Sequence, residues 1–283
     1  TASDLDRLYR RLLATGAVGD GGLAPATVRR VHGILRRALS QGVKWGWLGV
    51  NPAAATTPPR VQPSQIAPPS GPDLSRVLRR AWASSPDLAC FLVLAAATGA
   101  RRSELLALRW RNLDLPHGVV SIERGVVMGP AGLVEKDTKT HAVRRVALDE
   151  GTAHVVEAHR ARMAARGGMC RVDLTEDRFV FSNAGDCSEP WFPDSVSRAF
   201  KRLCVAEGLP QVRLHDLRHF VASQLLSAGV DVRTVAGRLG HRNAATTLNV
   251  YAHFLEQADR VAADVIGRVI APELAHIRPV ADR

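Results

Sequence analysis

Seven of the sixteen prolines in this 283-residue chain fall within residues 51–72, and this cluster limits the possible folds most strongly. Proline fixes φ and lacks the amide hydrogen that a helix interior or a central strand requires, so this stretch can form neither. With 46% hydrophobic residues, the chain can bury two modest cores. We therefore predict a first domain over residues 1–60, a linker over 61–72 and a second domain over 73–283.

A helical pattern that begins at Pro25 carries different residues on its two faces. The apolar face contains Val28, Val31, Leu35 and Leu39. The opposite face contains Arg29, Arg30, Arg36 and Arg37. We expect the first face to pack and the second to be exposed, either as a plain solvated surface or, if the rest of the chain indicates DNA, as a phosphate-facing surface. Trp45 and Trp47 are predicted to be core anchors that close this helical domain, in preference to the alternative that they stack on DNA bases.

The second domain mixes helical and β-rich patterns. Helices are predicted over residues 73–82, 86–97, 102–110, 152–166 and 195–207, and from 215 through much of the remaining chain. Gly99 is well placed to end the second of these helices. Short β-rich segments at 119–122, at 126–128 with 133–134, and at 143–148 predict a small antiparallel sheet. The predicted fold class is therefore mainly α with a small antiparallel β-sheet (α+β).

Lysine and arginine outnumber aspartate and glutamate by 38 to 27, and the net charge of +11 suits a polyanionic partner, although a solubility charge explains it too. The four cysteines lie far apart, which suits a reducing cytosol and indicates neither a disulfide framework nor a zinc site. Apolar runs such as 88–97 are too short to span a bilayer, so we expect no membrane partner. Because the chain begins at Thr1 rather than Met, we expect it to lack a natural amino-terminal segment.

The run Leu214-His215-Asp216-Leu217-Arg218-His219 carries the strongest local signal for chemistry. On a helix, His215 and Arg218 project from one face, where an imidazole and a guanidinium can grip one phosphate together. Leu214, Leu217 and Val221 are expected to supply the packing face. An isolated H-x-x-R is usually only a surface pair. His215 and His219 could instead bind a metal, but the sequence offers no plain third ligand, so no metal is predicted.

The run Leu239-Gly240-His241, followed by two threonines and then Tyr251-Ala252-His253, resembles the carboxyl-terminal signature of tyrosine recombinases and phage integrases. Upstream, Thr98-Gly99-Ala100-Arg101 resembles the T-G-x-R box of this family, and Lys139 stands where the family keeps a lysine in a turn. The resemblance covers roughly residues 73–255, and its motifs have a very small chance of occurring together. Residues 1–60 resemble, less specifically, the later part of the family's helical core-binding domain, which clamps DNA.

The resemblance implies an integrase-type catalytic domain over residues 73–283, with a tail from about residue 255 that docks either on its own domain or on a neighbouring protomer. It implies six catalytic residues: Arg101, Lys139, His215, Arg218, His241 and Tyr251. Arg102 leaves a one-position alternative for the first arginine, because the family usually has an apolar residue there. Lys136 is a weaker alternative to Lys139. The other tyrosine, Tyr9, is expected to pack.

The implied reaction is site-specific DNA recombination without a metal or cofactor. Tyr251 would form a 3′-phosphotyrosyl link, and Lys139 would protonate the leaving 5′-oxygen. The implied partners are double-stranded recombination sites, contacted in part by the helical arginines, and other copies of the chain, as a tetramer on DNA. The implied location is the cytoplasm, at the nucleoid when DNA is bound. Two alternatives stay open: a nicking-closing enzyme like the type IB topoisomerases, and a catalytically silent DNA-binding module.

Overall fold

A computed structural model describes residues 1–16, 21–61, 68–137 and 143–241. The chain divides into two compact units, Thr1–Gln65 and Ile66–Arg283. Among the described residues, no helix combines the length and the apolar character needed to cross a bilayer. The described part is mainly helical with small antiparallel sheets, which confirms the predicted α+β class.

The described part of the first unit contains two helices and a short 3-10 turn: α1 (Ala2–Thr15), α2 (Pro25–Lys44) and Pro52–Ala54. A capping box between Thr1 and Asp4 starts α1 by satisfying amides that the helix leaves unpaired. Tyr9 on α1 is buried, and its hydroxyl lies 3.1 Å from Nδ1 of His32 on α2. Tyr9 therefore packs, as expected.

The two faces of α2 differ as the sequence pattern predicts. On the apolar face, Val28 is fully buried and the other three residues are half-buried. The four arginines of the opposite face are exposed: Arg29, Arg30, Arg36 and Arg37. This face is therefore accessible to an anionic partner.

The prediction for Trp45 and Trp47 is wrong. Trp45 is 58% exposed and Trp47 is 73% exposed, with their ring centroids 4.6 Å apart. Trp45 caps the end of α2, and Gly46 then turns the chain with a φ of +74°. The two indoles consequently pack against each other at the surface, while smaller side chains such as Val28 fill the interior.

The described part of the second unit contains seven helices: α3 (Gly71–Ser84), α4 (Pro86–Thr98), α5 (Arg102–Leu106), α6 (Glu150–Met169), α7 (Pro193–Ala206), α8 (Asp216–Ser227) and α9 (Val232–Leu239). The central helix is α4, which packs against α3, α6 and α8. Phe91, Leu92 and Leu94 on different sides of α4 are fully buried. A helix that is apolar on all sides must be surrounded in this way.

The helix predicted over residues 102–110 ends at Leu106. The amide of Val180 donates to the carbonyl of Leu108 at 2.9 Å, and the amide of Trp110 donates to the carbonyl of Arg178 at 3.1 Å. Bonds to a distant segment thus take the place of helical bonds, and the chain turns in a short 3-10 helix. Local propensity does not reveal such pairing.

Within the described residues, the strands form two sheets where the sequence predicts one. The first has the antiparallel order β1-β2-β5, and the second is a hairpin of β3 and β4. Their bounds are β1 (Leu113–Asp114), β2 (Val119–Ile122), β3 (Arg124–Gly129), β4 (Gly132–Asp137) and β5 (Arg144–Ala147). Both edges of β2 are paired, one with β1 and the other with β5, and the separate hairpin packs against α5.

The end of α4 allows α8 and α9 to approach closely. Gly99 caps α4 with a φ of +64°, as predicted. A Cβ at this position would lie 2.5 Å from Cδ2 of Leu239 and 3.3 Å from Cγ1 of Val221. The junction of these three helices therefore has no room for a side chain at residue 99.

Gly99→Ala is expected to destabilise the second unit more than Gly229→Ala. Both glycines have a positive φ, so each substitution costs about 1 kcal/mol of backbone strain. Among the described residues, nothing lies within 4 Å of a Cβ built at Gly229. Gly99→Ala adds overpacking, which typically costs ~1–3 kcal/mol. Urea unfolding of the full chain measures both variants, and equal losses would contradict the packing explanation.

Candidate active site

Arg218 lies in the first turn of α8 and is only 4% exposed. Its Nη1 donates to the carbonyl of Gly99 at 2.8 Å and to the carbonyl of Leu239 at 2.6 Å. A buried guanidinium needs such acceptors, because it loses water when it enters the protein. These two bonds fix Arg218 between the end of α4 and the end of α9.

Arg101 immediately precedes α5 and is held by Glu104, which lies one turn further along the chain. The Arg101 amide donates to Oε2 of Glu104 at 2.8 Å, and its Nη1 donates to Oε1 at 2.7 Å. Its Nη2 also donates to the carbonyl of Gly240 at 3.3 Å. The side chain of Arg101 remains 34% exposed, so it is fixed at one edge and accessible at another.

Glu104 is buried, and a second arginine shares it. Nη2 of Arg144, at the start of β5, donates to Oε2 of Glu104 at 2.6 Å. Burial by itself raises the pKa of Glu104, but the bond and charge of Arg144, followed by the amide and charge of Arg101, outweigh it and lower the pKa to about 2. Glu104 is therefore a carboxylate at neutral pH, and each of its oxygens accepts from an arginine.

Three consecutive carbonyls at the end of α9 accept arginine donors from three other elements. Nε of Arg144 donates to the carbonyl of Arg238 at 3.1 Å, Arg218 donates to Leu239, and Arg101 donates to Gly240. The last carbonyls of a helix lack partners within the helix and carry partial negative charge. This helix end therefore brings the arginines of the two sequence motifs together.

His241 follows directly, and its amide donates to the carbonyl of Ala236 at 2.9 Å. The preceding Gly240 has a φ of +70°, and a Cβ there would lie 2.6 Å from Nη1 of Arg144. Burial, followed by the charges of Arg218 and Arg101, lowers the pKa of His241 to about 4. The imidazole is therefore neutral at physiological pH.

His215 immediately precedes α8 and, with Arg218, borders a cavity of about 370 Å³ that has a largely apolar lining. Burial and then the charge of Arg218 lower the pKa of His215. The ring of His219 stands edge-on to it, with centroids 5.1 Å apart, and burial and then His215 lower the pKa of His219 to about 4. As expected, Leu217 and Val221 supply the packing face of α8.

The side chain of the neighbouring Arg102 binds different partners from that of Arg101. Its Nη1 donates to the carbonyl of Pro193 at 2.9 Å and to Oγ of Ser197 at 2.6 Å, which ties it to the first turns of α7. Arg101, and not Arg102, is bound to Glu104 and to the end of α9. The geometry thus separates the two arginines that the sequence left as alternatives.

Four of the six predicted catalytic residues lie close together: Arg101, His215, Arg218 and His241. Lys139 and Tyr251 lie outside the described residues. Lys136, the alternative lysine, is exposed on β4. In the described segments, no group of three or more histidine, cysteine, aspartate or glutamate side chains is arranged to hold a metal ion.

Sequence reasoning missed Glu104, which binds Arg101, and Arg144, which binds Glu104. The spacing of Arg101 and Glu104 matches that of a helix capping box and could have identified the carboxylate. No local pattern marks Arg144, because its partners lie 40 and 94 residues away in the chain.

The curated proteins that this chain resembles include tyrosine recombinases and an integrase. The "Tyrosine recombinase XerC-like" protein of Caldanaerobacter subterraneus subsp. tengcongensis is 23% identical over 93% of this chain and 69% of its own length. The tyrosine recombinase XerC of Xanthomonas campestris pv. campestris is 31% identical over 82% of this chain and 65% of its own length. The ICEBs1 integrase of Bacillus subtilis is 27% identical over 62% of this chain, which spans 47% of that relative.

Solved structures show the same fold at low identity. The Tn1549 transposon integrase in complex with transposon right end DNA matches with a TM-score of 0.77 and 18% identity, over 94% of this chain and 85% of that one. A lambda integrase dimer bound to a COC′ core site matches with a TM-score of 0.61 and 18% identity, over 87% and 80% of the two chains.

The family description "Phage integrase family" matches residues 75–258, which is more than half of the chain. The matched range includes the four clustered residues as well as Lys139 and Tyr251. On this match the chain belongs to the phage integrase family.

Proposed function

We propose that this chain is a tyrosine recombinase that breaks and rejoins DNA at specific sites through a 3′-phosphotyrosyl intermediate at Tyr251. The observation that carries the proposal is the convergence of Arg101 and Arg218 on the end of α9, beside His215 and His241. Two fixed guanidiniums next to neutral imidazoles suit a phosphodiester, because that substrate needs both charge neutralisation and proton transfer.

The two arginines would bind the nonbridging oxygens of the scissile phosphate. A guanidinium can donate two parallel hydrogen bonds to these oxygens, which a lysine cannot reproduce. The bonds of Arg101 to Glu104 and Gly240 fix its position before DNA arrives, while 34% of its side chain stays exposed. Binding then requires little reorganisation of the site.

The two histidines would donate a hydrogen bond to the phosphate and accept a proton. A neutral imidazole has one nitrogen that donates and one that accepts, and the lowered pKa values of His215 and His241 keep both rings in this form. We assign His241 as a donor to the phosphate. We assign His215 as the acceptor of the tyrosine proton.

Tyr251 and Lys139 complete the reaction, and their roles rest on the family motifs. The phenol oxygen of Tyr251 attacks phosphorus, a new bond joins that oxygen to the 3′-phosphate, and the bond to the 5′-oxygen breaks. Lys139 gives its proton to the departing 5′-oxygen. Because one phosphoester replaces another, the reverse attack by a 5′-hydroxyl reseals a strand without an external energy source.

The proposed substrate is a pair of double-stranded recombination sites. The Tn1549 and lambda integrases were solved bound to DNA, and this chain shares their fold. The exposed arginines of α2 suit the phosphate backbone: Arg29, Arg30, Arg36 and Arg37. We further propose a tetramer on DNA and action in the cytoplasm at the nucleoid, because exchange between two duplexes requires four strand cleavages.

Tyr251→Phe is expected to abolish the covalent DNA adduct and strand exchange, because it removes the attacking oxygen. DNA affinity should change little, since affinity comes mainly from many phosphate contacts. Denaturing gels on end-labelled DNA measure the adduct. Tyr9→Phe is the matched control and should retain the adduct. An adduct formed by Tyr251→Phe would place the nucleophile elsewhere.

Arg101→Ala is expected to slow cleavage far more than Arg102→Ala, although each substitution removes one positive charge. Loss of a transition-state donor typically costs on the order of a hundredfold or more in rate, whereas a peripheral charge mainly affects binding. Single-turnover cleavage at one salt concentration measures the difference. Selective damage by Arg102→Ala would overturn the assignment of the first arginine.

Lys139→Ala is expected to slow cleavage strongly, and Lys139→Arg should restore little, because arginine releases a proton far less readily. A substrate with sulfur in place of the bridging 5′-oxygen should restore cleavage by Lys139→Ala, since a thiolate leaves without protonation. Arg218→Ala should stay slow on the same substrate. If sulfur rescues Lys136→Ala and not Lys139→Ala, the general acid is Lys136.

A further inference from the structure

We propose that Arg144 is a positioning residue for DNA cleavage, which acts on Arg101 through the buried carboxylate of Glu104. This inference rests on the proposed function, because it assumes that Arg101 binds the scissile phosphate. It adds a residue on β5, outside the sequence motifs, to the group that determines the cleavage rate.

The hydrogen bonds of Arg144 indicate that this residue does not contact DNA directly. Its Nη2 donates to Glu104 and its Nε donates to the carbonyl of Arg238, so two of its donor atoms are engaged within the protein. Its side chain is 13% exposed, against 34% for Arg101. Arg144 is therefore placed to support a neighbour, and Arg101 is the more accessible of the two.

Glu104 depends on Arg144 to remain a carboxylate in its buried position. Oε1 accepts from the Arg101 side chain, while Oε2 accepts from the Arg101 amide and from Arg144. Without Arg144, Oε2 keeps only the amide, and a buried carboxylate with too few donors takes up a proton or turns towards water. Either change weakens the two-oxygen grip on Arg101.

Arg144 also connects Glu104 and the end of α9 to β5. In the sequence, β5 follows residues 138–142, and that range includes Lys139. Through the carbonyl of Arg238, Arg144 is tied to the last turn of α9, and Gly240 leaves room for its guanidinium. A displacement of Arg101 by only about 1 Å can cost on the order of a hundredfold in rate. Small losses of support at Arg144 should therefore appear in catalysis.

A double-mutant cycle on single-turnover adduct formation tests the proposal. Arg144→Met should slow adduct formation on the order of tenfold or more in the parent chain, and by less than about threefold in an Arg101→Ala background, because its effect passes through Arg101. Arg145→Met, on the same strand with an exposed side chain, is the matched control. It should slow both backgrounds equally and slightly.

The pH dependence gives a readout that general destabilisation would not change. Arg144→Met should lose cleavage as the pH falls towards 5, because burial then raises the pKa of Glu104 from about 2. Arg101 faces Glu104 from the start of α5, and His215 and His241 near Arg101 also titrate. The double variant Arg144→Met, Glu104→Gln lacks the titrating carboxylate but keeps the histidines. Its pH profile should therefore lose the decline in cleavage that protonation of Glu104 causes and keep the decline that the histidines cause.

Three outcomes are distinct. If the parent chain forms no covalent adduct on its own recombination site, the proposed function fails. If it forms the adduct and the effects of Arg144 and Arg101 multiply, the positioning role is wrong. If Arg144→Met does not fold in thermal unfolding, Arg144→Lys replaces it in the same cycle. Lysine keeps the charge but cannot reach Glu104 and Arg238 together, and multiplicative effects would again overturn the proposal.

Discussion

The candidate site depends on one helix end, where three successive backbone carbonyls of α9 accept hydrogen bonds from three arginines. Each arginine comes from a different element, so the end of α9 fixes α5, α8 and β5 relative to one another. Burying a guanidinium is unfavourable unless nearby acceptors offset its lost hydration. The partial negative charge of the helix end supplies that compensation without adding a titratable group.

The site also shows how cations and imidazoles can coexist in a small volume. Arg101, Arg144 and Arg218 place three positive charges near His241, and buried Glu104 is the carboxylate that two of them share. The loss of water, followed by the charges of neighbouring groups, lowers the pKa values of the histidines and keeps them neutral. Neutral rings do not repel the neighbouring guanidiniums. The net positive charge of the site therefore comes from the arginines and can attract an anionic ligand.

Sequence patterns predicted features that depend on neighbours in the chain. Gly99 was identified as a helix cap because a left-handed cap favours glycine, and the placement of Leu217 and Val221 followed from helical period. Features set by distant contacts were missed or wrong. The 108–110 segment pairs with residues 178–180, the β3–β4 hairpin stays separate, and Trp45 and Trp47 lie at the surface. The link from Arg144 to Glu104 and Arg238 is of the same kind, because only the folded chain brings these residues together.

The acceptors at the end of α9 belong to the main chain, and this sets which genetic changes the site can absorb. The acceptor at position 239 is a main-chain carbonyl whichever side chain stands there. A single-residue insertion or deletion within α9 is different in kind. It rotates every later residue by about 100° around the helix axis, so the side chain and the carbonyl of Leu239 both leave their present positions. The acceptors therefore do not depend on which side chains stand at positions 238 and 239, but they do depend on the number of residues in the helix.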